Sequence, residues 1–546
     1  MSHLPTRTQV LIVGAGPTGL TLALALVRQG VDCLVVDKLP APLPWSRALG
    51  MHARTLEILD ALEVLPAVNE RSLIQTGVNV YGTGGLLFEL DLTTLHAPHP
   101  HVLSCPQSTL EEELTESFTR LGGTLLRGCE LLDFEQNEQG VVAQLEWAQQ
   151  PLTLEADLLI GCDGAGSRVR HQLGLAFDGV QYADHFLLAD LDIDWSLQRD
   201  HSHGFLLPGG ALLALPMPRG WRLVINQPAD ADLSPVADIA PFRERLQACL
   251  GEVPTLSEPR WVSRFSIHRR LVSHYRRNRV LLAGDACHIQ SPLGAQGMNT
   301  GIADAFNLAW KLALYLNQRG DGELLDSYEQ ERRPVAKKML HGVDFLSRSS
   351  FASNRLFVYL RDQILRLAGR RSAVGRRLLR RASQLDVNYR NAPMSLGQTF
   401  PRGETGPLAG DRVPDADLLP LPEGEPVRLH SWLRSGRFQV VMQLSETPGH
   451  ADIVALFALA DRLPHELGEW VDMQLIAAGR ELPRALNDLR QFPVALWQDS
   501  AGEFRSRFAE PGHLWLIRPD GHLGWRGGLA DADQLLTWLE RWFRRR

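Results

Sequence analysis

The feature that most constrains the fold is a glycine-rich turn between two apolar runs near the N-terminus. Residues 9–13 are mostly apolar, and Gly14-Ala-Gly16-Pro-Thr-Gly19 follows them, just before a helix-like segment that starts at Leu20. A second apolar run ends in Asp37. In such a unit the first glycine makes the turn, the second lets the backbone approach a pyrophosphate, and the third lets helix and strand pack closely. The pattern predicts a dinucleotide-binding βαβ unit in which Asp37 binds an adenosine ribose.

Two later segments show the same pattern, in which a glycine-rich turn follows an apolar strand. Residues 157–170 read DLLIGCDGAGSRVR, and residues 284–301 read GDACHIQSPLGAQGMNTG after the apolar run 280–283. An acid directly after a strand, as at Asp285, can bind a polyol hydroxyl. A glycine-rich helix start, as at Gly297, offers N–H groups and a positive dipole end to an anionic group such as a reduced flavin.

Together these segments resemble the three fingerprints of the class A FAD-dependent aromatic hydroxylases, which have the p-hydroxybenzoate hydroxylase fold. Residues 46–57 (SRALGMHARTLE) and 106–114 (PQSTLEEEL) match the same family, so the resemblance runs in order over roughly residues 8 to 340. It implies an α/β protein with a Rossmann-like FAD-binding domain, an inserted antiparallel-sheet substrate domain and, as in the longer phenol and polyketide hydroxylases, a C-terminal thioredoxin-like domain.

The resemblance also implies roles for single residues. Asp285 would hold the ribityl chain, and residues 297–299 would cradle the pyrimidine edge of the flavin. Arg47 would contact the FAD phosphates and the flavin, whereas Asp163 would support FAD and the approach of the nicotinamide. The full set of expected cofactor contacts is Gly14, Ala15, Gly16, Pro17, Thr18, Gly19, Asp37, Lys38, Arg47, Gln107, Asp163, Asp285, Pro292, Gly297, Met298 and Asn299.

The resemblance implies a reaction in which the cofactor performs the difficult step. The chain has one complete GxGxxG motif, so NADPH or NADH would dock transiently rather than on a domain of its own. The reduced flavin would react with O₂, and the resulting C4a-hydroperoxide would hydroxylate an electron-rich ring. The protein would supply a dry pocket, orientation and electrostatics.

No catalytic base is evident in the sequence. Phenol hydroxylases that resemble this chain carry an acid about where Leu49 stands. Its absence favours a bulky, polycyclic substrate over a small phenol. His52 is a candidate proton relay, and the alternative is a histidine that is merely packed or bonded to solvent.

Composition excludes several other classes of protein. A net charge of −7 argues against nucleic-acid or anionic-membrane partners. No apolar run is long enough to span a bilayer, and no signal peptide is evident, so we expect a cytoplasmic protein without stable membrane association. The six scattered cysteines form no CxxC pair, which predicts a reduced protein without a metal site.

The domain limits follow from changes in pattern along the chain. We expect the FAD-binding domain in residues 1–77, 96–180 and 270–392, and the substrate domain in residues 78–95 and 181–269, with antiparallel strands and a helix over 240–250. Alternation places Trp261 and Arg264 on opposite faces of a strand. A Pro- and Gly-rich stretch marks the start of the third domain, residues 393–546.

The C-terminal third raises two further questions. Residues 345–390 are helical and rich in arginine, which fits either a membrane-surface helix or, as we expect, helices packed on the FAD-binding domain. The third domain shows thioredoxin-like strands and a hairpin turn at Pro519-Asp520-Gly521, but residues 288–546 contain no cysteine. We therefore expect a structural domain without disulfide exchange. The resemblance to the family leaves both a monomer and a homodimer open.

Other functions on the same scaffold stay open at this stage. A Baeyer–Villiger or epoxidising monooxygenase would keep the same cofactor. A flavoprotein that sequesters an aromatic ligand would bind it without turnover. A flavin halogenase is disfavoured because the chain has no GWxWxIP motif.

Overall fold

The structure is a computed structural model of the chain. It describes residues 6–43, 45, 48–227, 239–291, 294–369, 372–395, 406–421, 424–445, 447–477, 484–508 and 511–543. Arg47 and Pro292, two of the expected FAD contacts, lie outside the described residues.

The strands of the described residues fall into three large sheets and two small ones. In chain order they are β1 (Arg7–Val13), β2 (Cys33–Asp37), β3 (Gly50–Met51), β4 (Leu73–Gln75), β5 (Gly77–Gly82), β6 (Gly85–Asp91), β7 (Val102–Ser104), β8 (Thr124–Arg127), β9 (Cys129–Gln136), β10 (Val141–Trp147), β11 (Gln150–Gly161), β12 (Phe177–Leu191), β13 (Ile193–Asp194), β14 (His201–Leu207), β15 (Gly210–Pro216), β16 (Trp221–Gln227), β17 (Thr255–Leu256), β18 (Trp261–Val272), β19 (Arg276–Arg277), β20 (Val280–Leu282), β21 (His288–Ile289), β22 (Asp417–Pro420), β23 (Val427–Arg428), β24 (Phe438–Gln443), β25 (Val471–Ala477), β26 (Val494–Gln498), β27 (His513–Ile517) and β28 (Leu523–Gly528).

The helices lie mainly on the first and third sheets. They are α1 (Pro17–Arg28), α2 (Ala53–Ala61), α3 (Leu65–Glu70), α4 (Gln107–Arg120), α5 (Arg168–Gln172), α6 (Ala240–Leu250), α7 (Gln296–Leu316), α8 (Gly322–Ser350), α9 (Arg355–Gly369), α10 (Ser372–Ala382), α11 (His450–Leu467), α12 (Glu503–Arg507) and α13 (Ala532–Trp542). Short 3₁₀ turns cover Leu92–Thr94, Gly284–Ala286, Pro393–Ser395, Leu429–Ser435, Gly468–Trp470, Arg484–Gln491 and Leu529–Asp531.

The first sheet has a parallel core, in the order β20, β11, β1, β2 and β8. Its central strand β1 is continuously apolar from Val10 to Val13 because helices cover both faces of a parallel sheet. Helix α1 packs against α4 and α7 and is almost entirely buried. The hairpin of β9 and β10 extends β11 in the antiparallel sense. This is the expected Rossmann-like domain.

Five strands of the second sheet, β12, β14, β15, β16 and β18, lie in the chain between β11 and β19 of the first sheet, whereas β5 and β6 come before β8 and β21 comes after β20. The order of the second sheet is β21, β18, β12, β16, β15, β14, β5 and β6, and its neighbours are antiparallel except for the parallel pair of β14 and β5. It confirms the expected inserted antiparallel sheet, and β12 and β18 extend it to Phe177 and Val272. Trp261 opposes Asp190 on β12, whereas Arg264 opposes Leu187, so the two side chains lie on opposite faces as predicted.

The third sheet confirms the thioredoxin-like expectation. Strand β24, helix α11 and strand β25 form a parallel βαβ unit, β26 continues it, and the antiparallel hairpin of β27 and β28 lies on the other side of β24. Helix α13 follows the hairpin. The chain between β24 and α11 has no cysteine where a thioredoxin carries CxxC.

The arginine-rich helices differ from the expectation in where they pack. Helix α9 lies on strand β6 of the second sheet rather than on the first sheet. Leu379 of α10 packs with Leu92 and Leu95, which follow β6, and with Ala53. The sequence pattern predicted helices correctly but could not show which sheet they cover.

Buried charges join the third domain to the FAD-binding domain. Arg518, just after β27, donates to both carboxylate oxygens of Glu331 on α8 at 2.6 and 2.8 Å. Lys311 on α7 donates to the same carboxylate at 2.8 Å. Asp520, in the hairpin turn, pairs with Arg518 and accepts from Asn307 at 2.8 Å. The turn is therefore inserted between helices of another domain.

These contacts shift the titration of the buried groups. Burial alone would raise the pKa of Glu331, but Arg518 and Lys311 outweigh it and lower this pKa to about 2. Burial lowers the pKa of Lys311 to about 8, and its contact with Glu331 limits the fall. Glu331 is thus an ionised carboxylate that compensates two buried cations.

We predict that Glu331→Gln destabilises the protein strongly. Removing one partner of a buried ion pair leaves charge uncompensated and costs about 3–5 kcal/mol, measured as the free energy of unfolding in urea. The control is Glu116→Gln, which breaks the exposed pair with Arg120 on α4 and should cost no more than about 0.5 kcal/mol. Equal losses in the two variants would contradict the prediction.

The same carboxylate predicts a pH dependence of stability. A carboxyl group whose pKa falls from 4.5 to about 2 on folding adds stability above pH 4.5, and this contribution is lost as the pH falls toward 2. The free energy of unfolding should therefore drop between pH 5 and about pH 3 in the natural protein. Glu331→Gln should show a shallower drop over that range.

Candidate flavin site

The first glycine turn is shaped by close backbone packing. Gly14 has φ +108°, and a Cβ there would collide with the carbonyl oxygen of Cys162 at the end of β11. A Cβ on Gly19 would collide with the carbonyl oxygen of Gly14. Gly16, by contrast, faces open space with no atom within 4 Å of a Cβ position. Two glycines therefore serve packing, while Gly16 leaves room for a ligand.

The acid at the end of β2 braces this turn. The carboxylate of Asp37 accepts a hydrogen bond from the N–H of Ala15 at 2.7 Å and another from Leu39 at 2.8 Å. Lys38 beside it is exposed. Asp37 thus holds β2 to the turn, in addition to the ribose contact that the resemblance implies.

The third fingerprint packs directly onto the start of α1. Gly284 has φ +63°, and a Cβ there would lie 2.6 Å from Oγ1 of Thr18. A Cβ on Gly301 of α7 would also collide with this hydroxyl oxygen. The chain returns to the first turn after 270 residues, and small residues allow the approach.

Asp285 directly follows Gly284, next to the contact with Thr18, and is exposed to solvent. Its carboxylate keeps solvent-accessible surface although protein surrounds it densely. That burial raises the pKa of Asp285 above its ordinary value, and His288 opposes the rise. A carboxylate in such a place is ready to accept hydrogen bonds from ligand hydroxyls.

The N-terminus of α7 opens onto the same region. Ala295 precedes the helix with φ +51°, and no side chain caps the first turn. Gly297 has no atom within 4 Å of a Cβ position. The unsatisfied N–H groups of a helix start, together with its dipole, favour an anionic group.

Asn299 and His52 hold this helix start in place. Asn299 is fully buried: its Oδ1 accepts from Thr55 at 2.6 Å and from the N–H of His52, while its Nδ2 donates to the carbonyls of Gly50 and Ala295. The His52 ring contacts the carbonyl of Gly294 through Nε2 at 2.8 Å, and burial lowers its pKa. The Asn299 side chain is thus occupied within the protein.

A buried triad that sequence patterns did not reveal positions the Asp285 loop. Asp304 on α7 bonds to Nε2 of His288 at 2.7 Å and accepts from Arg332 on α8 at 2.6 Å. Burial would raise the pKa of Asp304, but Arg332 and His288 outweigh it and lower that pKa. Arg170 of the middle fingerprint donates to the carbonyl of Ala286 in the same loop at 3.1 Å. The fingerprints are therefore tied to one another by side chains.

The middle fingerprint supplies an unpartnered polar atom. Oδ2 of Asp163 accepts from the N–H of Val169 at 3.1 Å, but its buried Oδ1 has no hydrogen-bond partner. A Cβ on Gly164 or Gly166 would meet no atom within 4 Å. Gln107, at the start of α4, donates to Glu111 at 2.8 Å.

These observations fit an FAD cofactor. Gly16, Gly164 and Gly297 each leave open space, Asp163 has an unpartnered buried oxygen and Asp285 is exposed, which are features that a flavin cradle needs. Within the described residues, no cluster of His, Cys, Asp and Glu side chains is arranged to hold a metal ion. Burial raises the pKa of Cys287 well above its ordinary value, so this thiol stays protonated.

Comparisons with known proteins agree with this geometry. Residues 7–343 match the family model described as an FAD binding domain, and residues 406–545 match the model described as an aromatic-ring hydroxylase C-terminal domain. The chain is 32% identical to the 12-dehydrotetracycline 5-monooxygenase/anhydrotetracycline 6-monooxygenase of Streptomyces rimosus subsp. rimosus, over 98% of this chain and 99% of the relative. It is 30% identical to the pentachlorophenol 4-monooxygenase of Sphingobium chlorophenolicum, over 97% and 96%.

The chain is also similar in structure to a solved aromatic hydroxylase. The ternary complex of aklavinone-11 hydroxylase with FAD and aklavinone is 25% identical to this chain, with a TM-score of 0.75 over 98% of both chains. This chain therefore belongs to the family of FAD-dependent aromatic-ring hydroxylases, and FAD is its cofactor. Among the described residues, no helix is long and apolar enough to cross a membrane.

We predict that Asp285→Asn weakens FAD binding. Hydrogen bonds to a charged group contribute about 1.5–3 kcal/mol, so the Kd for FAD should rise by about tenfold or more. Quenching of flavin fluorescence on titration into FAD-free protein measures this Kd. Asp326→Asn, at an exposed carboxylate of α8, is the control and should leave the Kd unchanged. An unchanged Kd in Asp285→Asn would remove this residue from the site.

A substitution at Gly297 separates a binding role from a folding role. Alanine is favoured over glycine inside a helix by roughly 0.5–1 kcal/mol, so Gly297→Ala should raise or preserve the Tm of FAD-free protein. The added Cβ takes space meant for the cofactor and should raise the Kd for FAD at least tenfold. Gly322→Ala, in the first turn of α8, should leave the Kd unchanged because its Cβ would face only Arg276 at 3.8 Å. Tight FAD binding by Gly297→Ala would contradict this assignment.

Proposed function

We propose that this protein uses NAD(P)H and O₂ to hydroxylate a phenolic, polycyclic aromatic substrate held between the FAD-binding domain and the second sheet. The observation that carries the proposal is the direct connection between the second sheet and the loop that contains Asp285. Strand β21 begins three residues after Asp285 and pairs with β18, so one edge of the second sheet continues directly into the flavin loop.

The two faces of the second sheet differ in what covers them. One face, with Leu187 and Leu223, packs under Phe242 and Leu246 of α6. The opposite face carries a separate apolar cluster in which aromatic side chains are prominent. Its members are Phe186, Leu188 and Val224, with Leu213, Trp261, Phe265 and Phe351 packed against them. The proposal assigns this second face to the aromatic substrate.

A fixed ion pair adds one polar element to that face. Arg222 donates to both oxygens of Asp190 at 2.7 and 2.8 Å, and its guanidinium lies 5.6 Å from the ring of Trp261. A pair locked by two bonds and an aromatic contact is rigid. It offers a preorganised polar edge beside the apolar surface, of the kind that orients small-molecule ligands.

The proposed reaction assigns different roles to the cofactor and to the residues of the chain. A bound, reduced flavin supplies the activation of O₂ that puts one oxygen atom onto an electron-rich ring. The residues of the chain bind the cofactor, orient the substrate and exclude water. His52 is proposed only as a proton relay: burial lowers its pKa, so it is neutral near pH 7.

We infer the class of substrate from the residue at position 49. Leu49 is buried. The resemblance to phenol hydroxylases implies an acid at about this position, and this chain has no carboxylate there. The relatives include enzymes named for tetracycline-type compounds and one named for pentachlorophenol. The absence of the base favours the polycyclic alternative.

We predict that one member of a panel of polycyclic phenols and quinones increases NAD(P)H oxidation by the FAD-loaded protein many-fold. Absorbance at 340 nm measures the rate, and mass spectrometry of the product should show one added oxygen atom on the ring. A product with oxygen inserted beside a ketone would indicate a Baeyer–Villiger monooxygenase, and an epoxide product would indicate an epoxidising monooxygenase. Either product would contradict hydroxylation. Tight ligand binding without stimulated turnover, with either nicotinamide, would instead indicate a sequestering protein.

A further inference from the structure

Exposed apolar side chains are concentrated in one short part of the chain. Among the described residues, ten of the eighteen large hydrophobic side chains that are exposed lie between residues 345 and 378. They belong to the end of α8 and to α9 and α10: Phe345, Leu346, Leu356, Phe357, Tyr359, Leu360, Ile364, Leu367, Val374 and Leu378. We call this set the apolar patch.

Helix α9 buries charged side chains and exposes its apolar side chains, which is the reverse of an ordinary surface helix. Its fully buried side chains are Val358, Arg361 and Asp362, and the last two form an ion pair at 2.8 Å. The apolar residues of the patch face outward, with Leu356 67% and Ile364 66% exposed. A surface helix normally buries its apolar stripe. The outward stripe therefore needs an apolar environment that the described part of this chain does not supply.

The inward side of α9 explains why the helix cannot simply rotate. A Cβ on Gly82 would collide with the carboxylate of Asp362, and one on Gly84 would lie 2.6 Å from the guanidinium of Arg366. Glycines of the β5–β6 hairpin thus make room for the polar side of α9. Arg361 also donates to the carbonyl of Ser349 on α8 at 3.0 Å. The outward direction of the apolar patch is built into the fold.

Charge indicates what the patch contacts. Residues 345–382 contain ten arginines and one aspartate, a net charge of +9 in a chain whose net charge is −7. All other residues together therefore carry −16, the difference between these two values. Arg355, Arg376, Arg377, Arg380 and Arg381 are exposed beside the apolar patch. An apolar face bordered by cations matches an anionic lipid surface, where arginines reach the headgroups.

A second copy of this chain fits the patch less well. In a two-fold symmetric dimer the same surface faces itself across the axis. The exposed arginines of the two copies would then face and repel each other. A lipid surface that carries negative headgroups has no such conflict.

We propose that the apolar patch and its arginines dock this protein reversibly onto anionic phospholipid membranes. The docking is peripheral, with side chains at headgroup depth, and no helix crosses the bilayer. It takes up the membrane-surface alternative that the arginine-rich sequence left open, and because the docking is reversible it is compatible with the expectation of no stable membrane association. The proposal stands independently of which substrate the protein hydroxylates.

Flotation of the full-length, FAD-loaded protein with lipid vesicles tests this proposal. At 50 mM salt we expect binding to vesicles of phosphatidylcholine and phosphatidylglycerol in a 70:30 ratio, and at least about tenfold weaker binding to phosphatidylcholine alone. Binding should weaken again at 500 mM salt because ions screen the arginines. Absence of binding to the anionic vesicles at 50 mM salt would overturn the proposal.

Paired variants locate the contact. Leu360→Gln with Ile364→Gln, and separately Arg377→Glu with Arg380→Glu, should each weaken binding about tenfold or more, since one cationic side chain contributes roughly fivefold near an anionic surface. Controls are Ile74→Gln with Leu121→Gln, which are similarly exposed, and Arg120→Glu with Arg505→Glu. Equal losses in the controls would overturn the assignment to this patch.

Light scattering in solution tests whether a second copy of the chain, rather than lipid, covers the apolar patch. The lipid proposal expects the same mass for the natural protein and for the variant Leu360→Gln with Ile364→Gln. A dimer that this variant dissociates would show that the patch is an interface between two copies and would overturn the proposal. Unchanged circular dichroism and FAD content establish that each variant is folded.

Discussion

The contact on which the rest of the structure depends is the packing of three glycine-containing turns around the start of α1. Gly14 and Gly19 press against the end of β11, while Gly284 and Gly301 close over Thr18. Segments separated by well over a hundred residues meet there with only small side chains, such as that of Thr18, between them. Any Cβ at the crowded positions would push the strands of the parallel sheet away from the helices that cover them. Gly16 and Gly297, which face open space, lie close in sequence to the residues of this contact.

The position of the second sheet is a consequence of the same contact. The chain leaves the first sheet after β11 and comes back to it at β19, so the strands of the second sheet that lie between them are anchored at both ends. Strand β18 pairs with β21, which immediately follows the turn at Gly284 and Asp285. The loop proposed to bind the cofactor and the sheet proposed to cover the substrate are thereby one continuous segment. Asp304, His288 and Arg332 hold that segment from beneath.

What the sequence predicted well were features that backbone geometry demands locally. The glycines at 14, 16 and 19 and the helix over 240–250 are examples, because turns and helix bounds leave short-range patterns. Ion pairs between distant residues leave no such pattern, so the triad at Asp304 and the contact of Arg518 with Glu331 were not predicted. The direction of α9 was missed for a related reason: its pattern shows an apolar stripe but not which side is covered. The roles of individual residues toward FAD stay predictions.

The insertion of the hairpin turn at Asp520 has a consequence for how this protein is made. Lys311 and Glu331 are synthesised early, but Arg518, which completes their network, lies about thirty residues from the C-terminus. Domains generally fold as units, N-terminal first, during synthesis. Here the FAD-binding domain emerges from the ribosome with a charged gap between two of its helices. The network around Glu331 is completed only once Arg518, 187 positions further along the chain, has been translated.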